Sequence, residues 1–154
     1  MITTYVFPIH TTATVTNGDT YLPAGGDWIN TKGATSVTLL VRRTVETGTC
    51  TLDFYPEWLD ELGGTFVPLL DENDGTAMLG VQYTNGTVDT TGYRLLTIKE
   101  ILPVGHTTGK KVYGTNYVAY QAPFIPEKMR YRFRHGGTDV TNTFGAYVMV
   151  HSGG

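Results

Sequence analysis

A chain of 154 residues is long enough for one domain in which folding buries about 70% of the unfolded surface, so a hydrophobic core is expected without disulfide support. Charged residues make up only 16% of the chain, and 19 Gly and 10 Tyr accompany many Thr, which favours strands and turns over helices. The formal net charge of −3 supplies no positive field, so neither nucleic acid nor a membrane is expected as a partner.

The N-terminal residues 1–10 predict an edge strand or an extended arm. Apolar side chains recur at every second position, Tyr5, Phe7 and Ile9, and Pro8 confines a strand to the edge of a sheet. This stretch lacks the charged leader and long apolar run of a signal peptide, and no segment approaches the ~20 apolar residues of a membrane span. We therefore expect folding in a cytoplasm, without secretion.

The stretch from Ala34 to Tyr55 predicts a β-hairpin around which the chain is organised. Apolar residues recur with the period of a strand that has one buried face, in two sets: Val37, Leu39 and Val41, then Cys50, Leu52 and Phe54. Ser36, Thr38 and Arg42 occupy alternate positions of the first arm. The segment 44–48, TVETG, has the polar, Gly-bearing character of a hairpin loop. Because Cys50 is the only cysteine, we expect it to be a buried, unreactive thiol.

The segment 56–64, PEWLDELGG, predicts one or two helical turns. It is the one place where a helix-start proline, early acids and a terminating glycine occur in that order. Ahead of the hairpin, Trp28 is expected to belong to the core.

Several later segments have the alternation of short strands. They are residues 65–70, 77–83, 93–104, 117–120, 129–135 and 144–150. Segment 93–104 is apolar at most positions, so it is expected in the middle of a sheet with both faces covered. Segments 129–135 and 144–150 are separated by Gly136-Gly137 and a polar loop, and they are expected to be two strands.

These elements predict an all-β chain with at most one short helical turn. The fold class is a single-domain antiparallel β-sandwich, of jelly-roll or similar Greek-key topology, over residues 11–154. No linker, fixed-period repeat or low-complexity tract divides the chain.

Two loops resemble cofactor sites only in part. Segment 105–111, GHTTGKK, has one residue too few for a phosphate loop and is not followed by a helix pattern. Segment 71–75, DENDG, is read as a polar turn, with a structural calcium ion as the alternative. No cofactor and no metal are therefore expected.

Catalytic groupings are also missing from the sequence. Glu57, Asp60 and Glu61 could supply two carboxylates for glycoside hydrolysis, but on one short turn they are read as a solvated helix end. Neither Ser36 nor Ser152 lies in a nucleophile elbow. The histidines lack metal-site spacing: His10, His106, His135 and His151. We therefore expect a protein that is not an enzyme.

The remaining signal is on the surface. Arg130, Arg132 and Arg134 form a one-sided row on one strand, and such a row needs acids on a neighbouring strand or on another chain. The row is therefore a candidate interface with an acidic partner, and pairing within the domain or plain solvation is the alternative.

Three stretches of the chain form a recognisable pattern: the segment SVTLLVRRTVETGTCTLDFYPEW, the turn DELGGTF and the closing pair MRYRFR…FGAYVMV. In this pattern the chain resembles the small β-sandwich structural proteins of tailed bacteriophages, in particular the auxiliary head proteins known as decoration or cement proteins. The resemblance covers residues 35–66 and 129–150 and is a pattern without a diagnostic motif.

The resemblance implies a non-enzymatic virion protein on the capsid surface. Its partners would be the major capsid protein and other copies of itself, as a symmetric oligomer such as a homotrimer. The candidate interface comprises Tyr5, Phe7 and Ile9 with Arg130, Arg132 and Arg134. The alternative function is a carbohydrate- or receptor-binding domain of a phage tail or accessory module, in which Trp28, Trp58 or some tyrosines would stack on sugar rings.

Overall fold

The structure, a computed structural model, describes residues 1–12, 20–70, 76–77, 79–83, 93–100, 110–113, 117–122 and 125–153. Within these, only the backbone is described for residues 12, 45–50, 110–113 and 136–142. The described strands are β1 Ile2–Val6, β2 His10–Thr12, β3 Thr20–Leu22, β4 Ile29–Asn30, β5 Ala34–Asp60, β6 Thr65–Pro68, β7 Val81–Tyr83, β8 Tyr93–Glu100, β9 Lys110–Tyr113, β10 Tyr117–Ala122 and β11 Lys128–Ser152.

The fold is an all-β sandwich, as predicted, and no helix occurs in the residues that the structure describes. The first sheet has the strand order β1-β11-β5-β8-β10-β9 and uses the first part of β5 and the last part of β11. The second sheet uses the other parts of the same two strands, with β3 and β4 beside β11 and with β6 and β7 beside β5. Strands β5 and β11 thus form one long antiparallel ribbon that belongs to both sheets.

This ribbon corrects two predictions. The expected hairpin loop at 44–48 is part of the continuous strand β5, and the expected turn at Gly136-Gly137 is part of the continuous strand β11. Residues 45–49 pair with Thr138–Thr143 of β11 instead of reversing the chain, and the ladder has register shifts at 138/141 and at 143/144. Thr and Val favour strands, and the irregularities let the ribbon bend from one sheet to the other.

The expected helical turn at 56–64 is also wrong. Strand β5 continues to Asp60 and is followed by a turn at 61–64, in which Gly64 has φ 69°. Pro56 is tolerated in the strand because β7 pairs with residues 52–54 and β6 with residues 57–60, so its position falls between the two partners. Leu69 donates its main-chain N–H to the Pro56 carbonyl at 3.1 Å, which shows that Pro56 faces this gap.

The core lies between the two sheets and follows the predicted alternation. Val37, Leu39 and Val41 from the first sheet and Leu52 and Phe54 from the second are fully buried. Phe54, Phe133 and Phe144 form an aromatic cluster with ring centroids 5.2–5.6 Å apart, in tilted and edge-to-face geometries. Period-two patterning therefore identified the buried faces even where it misjudged strand ends.

The predicted central position of segment 93–104 agrees with β8, which lies between β5 and β10. The prediction that both faces are covered is wrong, because Leu96 and Ile98 are buried on one face whereas Tyr93 on the other face is exposed. The β8–β10 pair is parallel, an exception within otherwise antiparallel sheets. Four sequence predictions lie outside the described residues or side chains: the burial of Cys50, the loop 71–75, the end of segment 93–104 and most of the loop 105–111.

Candidate protein interface on the first sheet

The outward face of the first sheet carries a row of apolar side chains that crosses five strands. The registers place these residues side by side from β1 to β10: Val6, Tyr147, Leu40, Leu95 and Tyr117. At ~4.8 Å between neighbouring strands the row is about 19 Å long. Its ends are the most open, since Val6 is 77% and Tyr117 49% exposed. We call these five residues the apolar row.

A groove runs beside the β1 end of the apolar row. It has a volume of about 460 Å³, within the range of roughly 300–1,000 Å³ that is usual for binding pockets. Its lining is almost entirely apolar: Val6, Phe7, Ile9, Leu40, Arg42, Tyr93, Gly145, Ala146 and Tyr147. We call this the outer groove. Arg42, an exposed residue at its β5 side, is the one charged residue in this lining.

Gly145 forms part of the floor of the outer groove because a side chain there would point outward. Its neighbours Phe144 and Ala146 face the core, so position 145 faces away from it. A Cβ atom built on Gly145 has nothing within 4 Å, and the residue does not have a left-handed φ. The groove is therefore open partly because this position lacks a side chain.

On the side of the apolar row that is away from the outer groove, most side chains are small and the sheet surface is flat. The next row across the sheet consists of Thr4, Met149, Thr38, Thr97 and Ala119. Thr38 and Thr97 share a hydrogen bond of 3.0 Å between their hydroxyls. The outward face thus has an apolar row beside a row that consists mainly of threonines, and neither row contains a charged residue.

Of the N-terminal residues of the candidate interface, Tyr5 belongs to strand β1, whereas Phe7 and Ile9 follow the end of that strand. Residues 2–6 of the segment 1–10 form strand β1, which pairs with β11 of the same chain, and residues 7–9 lie outside any strand. Tyr5 and Phe7 pack against the core of their own chain, whereas Ile9 is 74% exposed at the outer groove. A partner would thus meet Val6 and Ile9 more fully than Tyr5 and Phe7. That a partner binds here stays a prediction.

The arginine row has an acid within its own sheet. Arg130 donates from Nε to Glu57 Oε1 at 2.8 Å, and Arg132 Nε lies 3.7 Å from Glu57 Oε2. The Glu57 side chain is only 8% exposed. This pairing supplies the compensation that the sequence argument required, so the row does not need an acidic partner. Its role as an interface stays a prediction.

Aromatic rings cover the same arginines. The guanidinium of Arg130 lies 3.7 Å from the Tyr21 ring centroid and 4.1 Å from that of Phe66, and Arg132 stacks on Tyr55 at 4.4 Å. Such cation–π contacts hold the side chains flat on the sheet. Arg134 is exposed and close enough to Asp53 to oppose the rise in the pKa of that carboxyl, which burial raises.

The prediction that Trp28 belongs to the core is wrong. The residue is 47% exposed, and the Lys128 ammonium lies 4.9 Å from the centre of its ring. Trp58 is half-buried and packs against the core. Lys128 therefore covers one face of the Trp28 ring, and the core covers part of the Trp58 ring.

The carboxylates considered for hydrolysis do not converge in a cleft. Glu57 is held by Arg130, and Asp60 accepts a hydrogen bond from the Leu62 main-chain N–H at 3.0 Å. Glu61 pairs with Lys128 at 3.4 Å. Each carboxylate has a local structural partner, and the two-carboxylate arrangement of a glycosidase is not formed by these three residues.

The fold brings together two histidines that are far apart in the sequence. His10 stacks edge-on to Phe133 at 5.0 Å, and His135 is buried on the strand that also carries Phe133. Burial lowers the pKa of both imidazoles, and the nearby His10 and Arg43 lower that of His135 further. The described residues contain no group of three or more potential metal ligands. The pair is therefore a feature of the core.

The sequence reading missed most of the apolar row. Leu40 lies between two core residues, but it shares its parity with the outward-facing Thr38 and Arg42. Leu95 and Tyr147 likewise hold outward positions in strands whose other face is buried. The sequence signal for the row is that several strands carry large apolar residues at the alternate positions that point away from the core.

No protein-family model matches the chain, and the searches of curated proteins and of solved structures found no match. In the part of the chain that the structure describes, no helix is long and apolar enough to cross a membrane.

Proposed function

We propose that the chain is a non-enzymatic structural protein of a bacteriophage virion, a decoration or cement protein that binds the major capsid protein and other copies of itself. The apolar row on the first sheet is the observation that supports a binding role. The resemblance of segments 35–66 and 129–150 to phage auxiliary head proteins makes the capsid shell the partner to test.

The exposure of the apolar row favours contact with a protein. Soluble monomers seldom expose extended apolar patches, because each buried Å² of apolar surface gains roughly 25 cal/mol. The open ends of the row, Val6 and Tyr117, would lose the most solvent on contact. A single contact of this size is modest, but many copies on one shell act together, so avidity supplies the strength.

The shape and charge of the outer groove indicate what would occupy it. An extended segment of the capsid protein could place apolar side chains between Ile9 and Tyr147, where the groove is open. An acidic residue of that segment would meet Arg42, the one cation of the groove lining. The occupant we propose is therefore an extended, apolar capsid segment with a carboxylate at one end.

Co-sedimentation with capsids assembled from the major capsid protein of the same genome tests this proposal. Gly145→Leu fills the outer groove without a clash inside the sandwich, so it is expected to lower capsid binding about tenfold or more. Gly145→Ala is the matched control, with a change within about threefold. Arg42→Glu is expected to weaken binding as well, because it reverses the charge of the groove.

Failure of the unaltered chain to sediment with capsids would overturn the proposed role. Equal binding by the Gly145→Leu variant and the unaltered chain would remove the outer groove from the interface. Thermal unfolding midpoints of the three variants that match that of the unaltered chain would show that any loss of binding is local.

A carbohydrate-binding domain is the second candidate, and two exposed rings on neighbouring strands favour it. Tyr93 and Tyr117 are 42% and 49% exposed and both lie on the outward face of the first sheet. A glycan array with the unaltered chain and with Tyr117→Ala tests this alternative. Glycan binding that Tyr117→Ala abolishes would favour it, and a blank array would exclude it for the glycans present.

A further inference from the structure

We infer that the outer edge of β1, with which no other described strand pairs, is a self-association site, at which two copies of the chain pair their β1 strands antiparallel about a two-fold axis at Thr4. This inference deepens one part of the proposed function, the contact between copies. It does not depend on the capsid, since the association can be measured with the chain alone.

The hydrogen bonds of β1 show which of its main-chain groups face outward. Met1 and Ser152 exchange two main-chain bonds, at 2.9 and 3.4 Å, and Phe7 donates to the Ala146 carbonyl at 3.1 Å. In an antiparallel ladder the groups that face the partner alternate along the strand. The odd-numbered residues therefore face β11, and the N–H and C=O groups of Ile2, Thr4 and Val6 face the free edge.

Strand β1 lacks the devices that protect other edges of this sandwich. It is five residues long and contains neither charge nor proline. Among the described strands, β9 begins with Lys110-Lys111, β6 ends at Pro68, and β3 and β7 are each three residues long. Short strands, lysines and prolines discourage edge-to-edge pairing. Among these described edge strands, β1 is therefore the one best able to pair with another chain.

The sequence of β1 fits a second copy of itself. Pro8 has no N–H to donate, which limits pairing to Ile2–Val6 and places the axis at the middle residue, Thr4. In that register Ile2 lies opposite Val6 of the other copy, and the two Thr4 residues face each other. The pairing forms about six main-chain hydrogen bonds between copies.

The side chains agree with this register. Ile2 and Val6 are 59% and 77% exposed on the outward face, and β-branched residues directly opposite each other pack well across a strand pair. The two Thr4 hydroxyls would be close enough to bond, as those of Thr38 and Thr97 are within the sheet. An isologous contact of this kind closes as a dimer and does not polymerise.

Analytical ultracentrifugation of the full chain over about 10 μM to 1 mM tests the association. The weight-average mass is expected to rise toward that of a dimer. Thr4→Pro removes an edge-facing N–H from each copy and leaves the ladder to β11 intact, so it is expected to weaken association about tenfold or more. Thr4→Ala keeps the N–H and is expected to stay within about threefold of the unaltered chain.

Amide hydrogen exchange on the unaltered chain gives a second readout that does not depend on a variant. Protection of the Ile2, Thr4 and Val6 amides is expected to increase with chain concentration, while Thr3 and Tyr5 are protected throughout by β11. A chain that stays monomeric, association that Thr4→Pro leaves unchanged, or exchange at Thr4 that does not depend on concentration would overturn the inference.

Discussion

Two buried tyrosines differ in whether the hydroxyl has a partner. Tyr83 donates to the Val41 carbonyl at 2.9 Å, whereas the buried Tyr131 hydroxyl has no hydrogen-bond partner among the residues that the structure describes. Burial raises the pKa of Tyr131, because a phenolate there would be unsolvated. A buried hydroxyl without a partner loses its hydration and gains nothing in return.

Tyr131→Phe is therefore expected to raise the free energy of unfolding by about 1 kcal/mol. The matched change Tyr83→Phe is expected to lower it by about 1 kcal/mol, since it removes a bond that is made. Urea unfolding of both variants measures the two effects. Destabilisation by Tyr131→Phe as large as that by Tyr83→Phe would show that the Tyr131 hydroxyl does have a partner.

Two glycines likewise differ in the space beside them. A Cβ atom on Gly80 would collide with the side chain of Leu96, which is fully buried, and would lie 3.2 Å from the Phe54 carbonyl oxygen. Gly80→Ala is expected to cost about 1–3 kcal/mol of unfolding free energy, because the core has no room to shift. Gly145→Ala is expected to stay within about 0.5 kcal/mol. Equal midpoints of thermal unfolding for the two variants would contradict this account.

At the scale of elements, the β5–β11 ribbon is held on its outer side by a buried carboxylate between two guanidinium groups. Glu57 on β5 contacts both Arg130 and Arg132 on β11, and all three side chains are less than one-fifth exposed. Removing the shared acid leaves two cations close together in a poorly hydrated position, which is more costly than the loss of a surface ion pair.

Glu57→Gln is expected to lower the free energy of unfolding by about 2–3 kcal/mol. Glu61→Gln is the control: Glu61 also pairs with a cation of β11, but its side chain is 63% exposed, so a change of about 0.5 kcal/mol or less is expected. Chemical denaturation of both variants gives the comparison. If Glu57→Gln lowers the free energy of unfolding no more than Glu61→Gln does, then solvent screens the contacts of Glu57 with Arg130 and Arg132.

The ribbon also shows where prediction from sequence stopped. Alternation is a local property, so it correctly assigned Val37, Leu39 and Phe54 to the core before any partner strand was known. Whether segment 44–48 turns back or continues depends on a strand about 90 residues later, which local sequence does not report. The polar residues of segment 44–48 and its glycine, Gly48, are compatible both with a hairpin loop and with a bent strand. The apolar row was missed for a related reason, since it exists only when five strands are in register.

At the scale of the whole molecule, the half-buried His10 and the buried His135 are expected to make stability depend on pH. The pKa of His10 and of His135 is lowered from 6.5 in the folded protein, so the unfolded chain binds more protons just below that value. The contribution of the two neutral imidazoles to the free energy of unfolding is therefore complete above about pH 6.5. It is expected to be lost as the pH falls below that value, so stability decreases. Protonation would also place new charge near Arg43, which already lowers the pKa of His135.

Thermal unfolding between about pH 5 and 8 measures this dependence. His135→Gln combined with His10→Gln is expected to flatten the curve across this range. Asp53 has the opposite sign, because burial raises its pKa above 3.8 and acidification then favours the folded state, but its effect begins at lower pH. A slope that persists in the double variant would assign the dependence to other groups.

The whole molecule presents two unlike outer faces. On the second sheet, cations, acids and aromatic rings satisfy one another within the chain. On the first sheet, the apolar row and the outer groove are left open to solvent. We therefore propose that the first sheet binds the partner and that the second sheet supports the fold.

Electron cryomicroscopy of capsids decorated with the unaltered chain tests this assignment most directly. The account predicts that the first sheet faces the shell, with Val6, Leu40 and Tyr117 in van der Waals contact with the capsid protein and the Arg130–Glu57 pair turned away from it. Density that places the second sheet against the shell, or capsids that carry no added density, would contradict it.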